Sequence, residues 1–152
     1  MNKIELYHFC KELMVYDPKM MYKQENRHKP KGLWVSDESD YGWKEWCNEN
    51  EFGEARLKTC YKVDIIVNSN LLVISNVQEL KDFTSEYAIK LYEFLFAINW
   101  EQVAKDYGGV IITPHQGTLG LGINYTWYYG WDCASGCIWD LNLIGGIDVQ
   151  TY

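Results

Sequence analysis

Cys137-Ile138-Trp139-Asp140-Leu141-Asn142 is the stretch on which the fold reading turns. It is strand-like and apolar, yet it carries an aspartate where a small sheet would place an apolar residue. Two other strand-like runs carry polar residues in the same manner, Ile4-Glu5-Leu6-Tyr7-His8-Phe9 and Gly32-Leu33-Trp34-Val35-Ser36. A histidine, a serine and a carboxylate at the ends of separate strands imply a site where strands meet.

The pattern around these runs mixes strands and helices. Lys58 to Val67 alternates in part, through Tyr61, Val63, Ile65 and Val67, and reads as a strand. Asn68-Ser69-Asn70 is turn chemistry, and Leu71 to Ile74 is expected to return as the second arm of a hairpin. Leu80, Phe83, Tyr87, Leu91, Phe94 and Ile98 recur at spacings of three and four. That spacing predicts a helix with one apolar stripe, open to a break near Thr84-Ser85. Asn76 followed by Glu79 is its start signal. Asn99 is predicted to cap a second helix, Trp100 to Tyr107, which Gly108-Gly109 would end through positive φ. A shorter helical segment, Tyr41 to Asn48, places Trp43, Trp46 and Cys47 on one face behind the capping cluster Asp37-Glu38-Ser39-Asp40. Val110 to Ile112 reads as a buried strand, and Ile138 to Leu143 with Ile147 to Tyr152 close the sheet. Residues 114 to 136 read as a long glycine-containing loop, too aromatic to be a linker.

The 152 residues are read as one domain, without repeats or a low-complexity tract. No run approaches the roughly 20 apolar residues that span a bilayer, and the start Met1-Asn2-Lys3-Ile4-Glu5 lacks a signal-like apolar region. Five irregularly spaced cysteines argue against a disulfide framework and for a reducing cytoplasm. A net charge of -7 argues against general phosphate attraction to nucleic acid, although Arg27-His28-Lys29-Pro30-Lys31 is locally basic. Aromatic residues make up 16%, too many for a small domain to bury entirely, so some are expected to line a cleft or contact surface.

Several candidate sites can be weighed on spacing alone. Cys133 and Cys137 make one loose pair, and His8, Cys10, His28 and His115 are scattered, which does not match the paired spacing of structural zinc; no metal is expected. No local signature marks a cysteine nucleophile. Gly117 to Gly122 lacks the lysine and following helix of a phosphate loop. His8 and Ser36, each taken alone, suit ordinary structural roles. Asp140 needs donors or a partner, because an ionised carboxylate amid Ile138, Trp139 and Leu141 is otherwise poorly solvated, unless alternation turns it to solvent.

Taken in order, Leu6-Tyr7-His8-Phe9, Gly32-Leu33-Trp34-Val35-Ser36 and Gly136-Cys137-Ile138-Trp139-Asp140 resemble the ADP-ribosyltransferase fold. The likeness runs through nearly the whole chain and is nearest to small phage-type members that act as anti-CRISPR proteins by modifying a Cas subunit. It implies an α+β domain, a split β-sandwich with helices packed on its sheets and NAD+ in the cleft. By the same resemblance, His8 would bond a ribose hydroxyl and the Phe9 backbone the nicotinamide carboxamide. Ser36 would support the ribose and orient Asp140, the catalytic carboxylate, while Tyr41 or Trp43 would stack on nicotinamide. The carboxylate of this family is usually Glu, and the segment 114 to 136 is longer here than in the smallest relatives.

The chemistry implied needs no metal, only electrostatic stabilisation of an oxocarbenium-like sugar carbon. The segment before the late strand would read the acceptor, so Tyr125, Trp127, Tyr128, Tyr129 and Trp131 are expected to dock a protein, a Cas subunit being one candidate. The alternative is that these rings close one end of the sandwich. Nucleic acid is the less favoured acceptor. NAD+ hydrolysis and a non-catalytic inhibitor acting by occupancy are the rival functions. Asp132, inside the aromatic segment, is the second-ranked carboxylate.

Overall fold

The computed structural model describes residues 2–52, 54–92, 95–116 and 125–150. Phe94, the Gly117 to Gly122 run and the terminal Thr151-Tyr152 lie outside them. The described chain is α+β, with nine strands and three helices. Its strands are β1 (Lys3–Cys10), β2 (Leu33–Ser36), β3 (Thr59–Ile66), β4 (Leu71–Ile74), β5 (Ala88–Tyr92), β6 (Leu95–Ile98), β7 (Gly109–Ile112), β8 (Ser135–Ile138) and β9 (Ile144–Gln150). The helices are α1 (Trp43–Glu49), α2 (Val77–Tyr87) and α3 (Trp100–Asp106). Among the described residues no helix is long and apolar enough to cross a membrane.

Seven strands form a mixed sheet in the order β4-β7-β8-β2-β1-β3-β9, and β5 pairs with β6 in a separate hairpin. The ladder between β1 and β2 is a single residue pair, Tyr7 with Ser36. The sheet is therefore pinched there into a four-strand half and a three-strand half. One core joins the halves: Leu6, Val63 and Ile65 cluster with Leu33, Val35, Ile111 and Ile138. A second core lies on the other face, where Leu80, Phe83, Trp100 and Val103 of the helices meet Ile74, Val110, Ile112, Trp127, Tyr128 and Trp131.

Four expectations are corrected. The Asn68–Asn70 turn forms, with Leu71 N–H donating to Asn68 O over 3.1 Å, but it does not make a hairpin. β4 leaves β3 and pairs in parallel with β7, while β9 takes the edge of β3. Leu71-Leu72-Val73-Ile74 is a continuous apolar run, which suits a parallel strand better than an alternating hairpin arm. The predicted long helix stops at Tyr87, because Ala88 turns to an extended conformation at ψ 140°. Leu91, on the predicted stripe, is 40% exposed in the β5-β6 hairpin. Ala88–Tyr92 and Leu95–Ile98 are rich in aromatic and aliphatic β-formers, whose spacing continued the helical period by coincidence.

Gly108 and Gly109 serve close approach, not positive φ. A Cβ on Gly108 would sit 2.6 Å from Asp140 Cβ, and one on Gly109 would sit 2.6 Å from Ile138 Cδ1. Finally, β8 ends at Ile138, so Asp140 is not a strand residue; it caps a 3-10 turn over Leu141–Leu143. The helix starts behave as read. Asn76 accepts from Glu79 N–H, and Asn99 accepts from Gln102 N–H.

Candidate functional site

Beyond their one pair, β1 and β2 open onto a cavity of about 470 Å³, within the usual size range of small-molecule sites. Tyr7, His8, Phe9 and Cys10 line it from β1, and Trp34, Val35 and Ser36 line it from β2. Trp43 of α1 and the segment Gly130 to Cys133, with Ser135 of β8, add to the wall. Strand alternation sets the orientation: Leu33 and Val35 enter the core between the half-sheets, so Trp34 and Ser36 face the other way.

His8 is half-buried, and its Nδ1 lies 2.6 Å from the Trp34 carbonyl oxygen. A carbonyl only accepts, so Nδ1 carries the proton and Nε2 is left as an acceptor whenever the ring is neutral. Burial pushes the pKa of His8 below the ordinary histidine value, and the Trp34 carbonyl opposes this. The neutral ring is thus favoured at pH 7, with one nitrogen suited to a ligand hydroxyl.

Ser36 is buried and donates its hydroxyl to Glu38 Oε1 over 2.9 Å. The same Glu38 oxygen accepts Lys44 N–H over 3.1 Å and so steadies the start of α1, where the cap residue Gly42 offers no side chain. Ser36 therefore connects the cavity to α1 and does not orient Asp140. Trp43 lines the cavity and stacks on Trp46, ring centroids 5.1 Å apart at 12°. Tyr41 is not among the lining residues. Its hydroxyl donates to Glu49 Oε2 over 2.6 Å, a bond that pushes the phenol up to about 12. Of the two stacking candidates, Trp43 is the one at the cavity.

The two carboxylates are placed oppositely. Asp140 is absent from the cavity lining, and both its oxygens are occupied. Oδ2 accepts from Asn70 Nδ2 over 2.9 Å, and Oδ1 accepts from Asn142 N–H over 3.1 Å. Its backbone N–H and that of Trp139 both donate to Gly108 O. It pins the turn after β8 to the start of β7, which is a structural role. Asp132 is half-buried, lines the cavity beside Trp131 and Cys133, and has no hydrogen-bond donor on its carboxylate among the described residues. The expectation that Asp140 shares a site with His8 and Ser36 is therefore corrected: of the two carboxylates, Asp132 is the one at the cavity. Asp132 precedes β8, which runs from Ser135 to Ile138, whereas Asp140 follows it.

The aromatic segment is mostly core. Trp127, Tyr128 and Trp131 are 0%, 1% and 2% exposed, and they cannot anchor an acceptor. Trp127 Nε1 donates to Thr84 Oγ1 over 3.2 Å, and Tyr128 hydroxyl accepts from Gln116 N–H over 2.9 Å. Trp131 touches the cavity from within the core, and Tyr125 is half-buried outside the lining. Trp127, Tyr128 and Trp131 thus pack as core, as the alternative expected, while Tyr129 is 57% exposed. Cys47, Cys60, Cys133 and Cys137 are buried, and burial pushes the Cys133 thiol up to about 12, unsuited to nucleophilic work at neutral pH. Among the described residues no three His, Cys, Asp or Glu side chains cluster as a metal site would.

Sequence reading missed Lys29 and Arg56, which also line the cavity; the basic loop Arg27 to Lys31 was the available signal for the first. No protein-family model, curated protein or solved structure matches the chain.

Proposed function

We propose that the chain is an NAD-dependent mono-ADP-ribosyltransferase acting on a protein, with NAD+ in the cavity at the β1/β2 split of an ADP-ribosyltransferase-type sandwich and Asp132 as its catalytic carboxylate. The observation that carries this reading is convergence. His8, Phe9, Ser36 and Trp43 come from three elements that lie apart in sequence, yet they line one cavity together with a carboxylate whose oxygens are unoccupied among the described residues.

The arrangement suits cleavage of the nicotinamide–ribose bond. In that step the C1'–N bond breaks and its electron pair returns to the pyridinium ring, so the leaving group departs neutral and needs no acid. Positive charge develops at C1' and is what must be stabilised. Asp132, bonded to a ribose hydroxyl, supplies that stabilisation; the acceptor nucleophile then bonds C1' and its proton passes to the carboxylate or to solvent. The neutral His8 Nε2 accepts from a ribose hydroxyl, and the Trp43 face offers a planar surface to nicotinamide. Exposed Glu45 on the helix that carries Trp43, with a net charge of -7, favours a basic protein acceptor over nucleic acid. A Cas subunit, the target of the phage-type proteins it resembles, is the first acceptor to try.

The test is incubation with labelled NAD+ and host lysate. The expected result is label on a discrete protein band that disappears with Asp132→Asn and persists with Asp140→Asn. Label on nucleic acid, or release of free ADP-ribose alone, replaces this function with one of its rivals.

A further inference from the structure

Acidic residues outnumber basic ones by 21 to 14 along the chain, yet Lys11, Lys29 and Arg56 line the same cavity. Among the described residues none of the three makes an ion pair; the pairs that form are Arg27 and Lys31 with Glu25, and Lys62 with Glu5. Two of these cations rest on rings. Lys29 Nζ stands 5.8 Å from the Trp34 ring centroid, and the Arg56 guanidinium carbon 5.1 Å from that of Phe52. Trp34 in turn packs edge-on against Trp131 at 4.9 Å. Trp131, a cavity-lining residue only 2% exposed, has an indole Nε1 without a hydrogen-bond partner among the described residues. A buried donor left unpaired is unfavourable, and native structures retain few of them without a use.

We infer that Lys29, Arg56 and the Trp131 Nε1–H form a subsite for a diphosphate, taking the pyrophosphate of a nucleoside diphosphate moiety. The inference rests on the dinucleotide reading above and extends it to two cations and an indole to which sequence reading assigned no part in cofactor binding. Uncompensated positive charge in an otherwise acidic protein concentrates an anion at one place. The ring contacts hold two flexible side chains near one geometry, which reduces the entropy lost when the anion binds. The indole of this lining residue supplies a neutral donor that is otherwise unpaired among the described residues, and a phosphate oxygen is a strong acceptor.

Calorimetric titration of the full chain tests this with ADP-ribose as the probe for the subsite and nicotinamide as the control. Lys29→Gln and Arg56→Gln change exposed side chains, so the fold is expected to persist, checked by thermal unfolding. Each should weaken ADP-ribose binding by about tenfold, the effect of losing one charge-assisted contact. Trp131→Phe keeps a buried ring and should weaken ADP-ribose severalfold, with nicotinamide binding unchanged in all three variants. If the parent chain binds and consumes NAD+ but these variants bind ADP-ribose as the parent does, the subsite is wrong and the dinucleotide reading survives. If ADP-ribose binds with the predicted losses but NAD+ is not consumed, the subsite stands and the transferase reading falls. Absence of ADP-ribose binding to the parent overturns the subsite, as does a loss confined to single-stranded oligonucleotides, which would assign the cations to an acceptor strand.

Discussion

Replacing Asp140 by alanine is expected to damage stability, and replacing Asp132 by asparagine is expected to damage only chemistry. Asp140 caps the 3-10 turn through Asn142 N–H, and loss of such a cap is worth about 1 kcal/mol. It also satisfies Asn70 Nδ2 at 2.9 Å, and stranding a part-buried amide adds about 1 kcal/mol more. The combined loss of about 2 kcal/mol corresponds to a fall in Tm of roughly 4–8 °C for a domain of this length. Asp132→Asn removes no hydrogen bond to a described residue, so its Tm should stay within about 1 °C of the parent, as is usual for substitutions away from structural contacts. Its transfer rate should fall by roughly 100-fold or more, because a neutral amide cannot balance charge at C1'. Thermal unfolding by circular dichroism gives the first pair of numbers, and initial rates with labelled NAD+ give the second. An Asp140→Ala protein that melts like the parent but no longer turns over NAD+, beside an active Asp132→Asn protein, would refute the reasoning at its base.

Four further expectations rest on the same geometry. Gly136→Ala should lower stability by about 3 kcal/mol or more, since its Cβ would lie 2.6 Å from Val110 O and 2.9 Å from Ile111 Cα, backbone atoms that cannot move aside; a Tm like the parent's would count against the β7-β8 register. Trp127→Ala should cost about 3–5 kcal/mol in chemical denaturation, as expected for a fully buried ring, whereas a normally stable variant defective only in acceptor modification would restore the docking reading. His8 is held below its ordinary pKa by burial, so the unfolded chain takes up its proton before the folded one does. Stability should therefore hold above about pH 6.5 and decline as pH falls below it, and His8→Gln should remove that part of the decline. Dinucleotide affinity should be flat from neutral pH upward and fall once the folded His8 protonates, because Nε2 then loses its acceptor; calorimetry at several pH values reads it directly.

How much of this was legible in the sequence differs by the range of the interaction. Capping is local, so Asn76 with Glu79 and Asn99 with Gln102 could be read from three-residue spacings alone. β1 and β2 were recoverable as strands because composition within each run marks them, whereas β8 starts at Ser135, inside the segment read as a loop, and ends at Ile138, where the expected strand had barely begun. Their pairing was not recoverable. β4 joins β7 across 38 residues, from Leu71 to Gly109, and nothing near Asn68–Asn70 distinguishes a turn that reverses the chain from one that sends it to the other half of the sheet. The spurious continuation of α2 has the same origin. A hairpin of aliphatic and aromatic residues can keep apolar groups at intervals of three and four, and only burial separates the two cases, as Leu91 does.

The site turned on a finer point, namely which end of β8 meets the cavity. Ser135 pairs with Ser36, and Ile138 pairs with Leu33, so the serine end of β2 lies beside the beginning of β8. Ser36 also pairs with Tyr7, which brings the histidine on β1 to that same end. A carboxylate that is to meet His8 and Ser36 must therefore precede β8 in sequence. Asp132 does, and Asp140 leaves from the far end toward Gly108. Antiparallel direction thus places Asp132 at the cavity with no reference to local composition, which favoured Asp140 because a charge among Ile138, Trp139 and Leu141 demands an explanation. The explanation is supplied by Asn70 and Asn142, two donors that become neighbours only after the fold has formed. An aspartate that looks expensive to bury can be a structural cap with both oxygens satisfied, while one that looks unremarkable in an aromatic segment lines the cavity with no donor on its oxygens among the described residues.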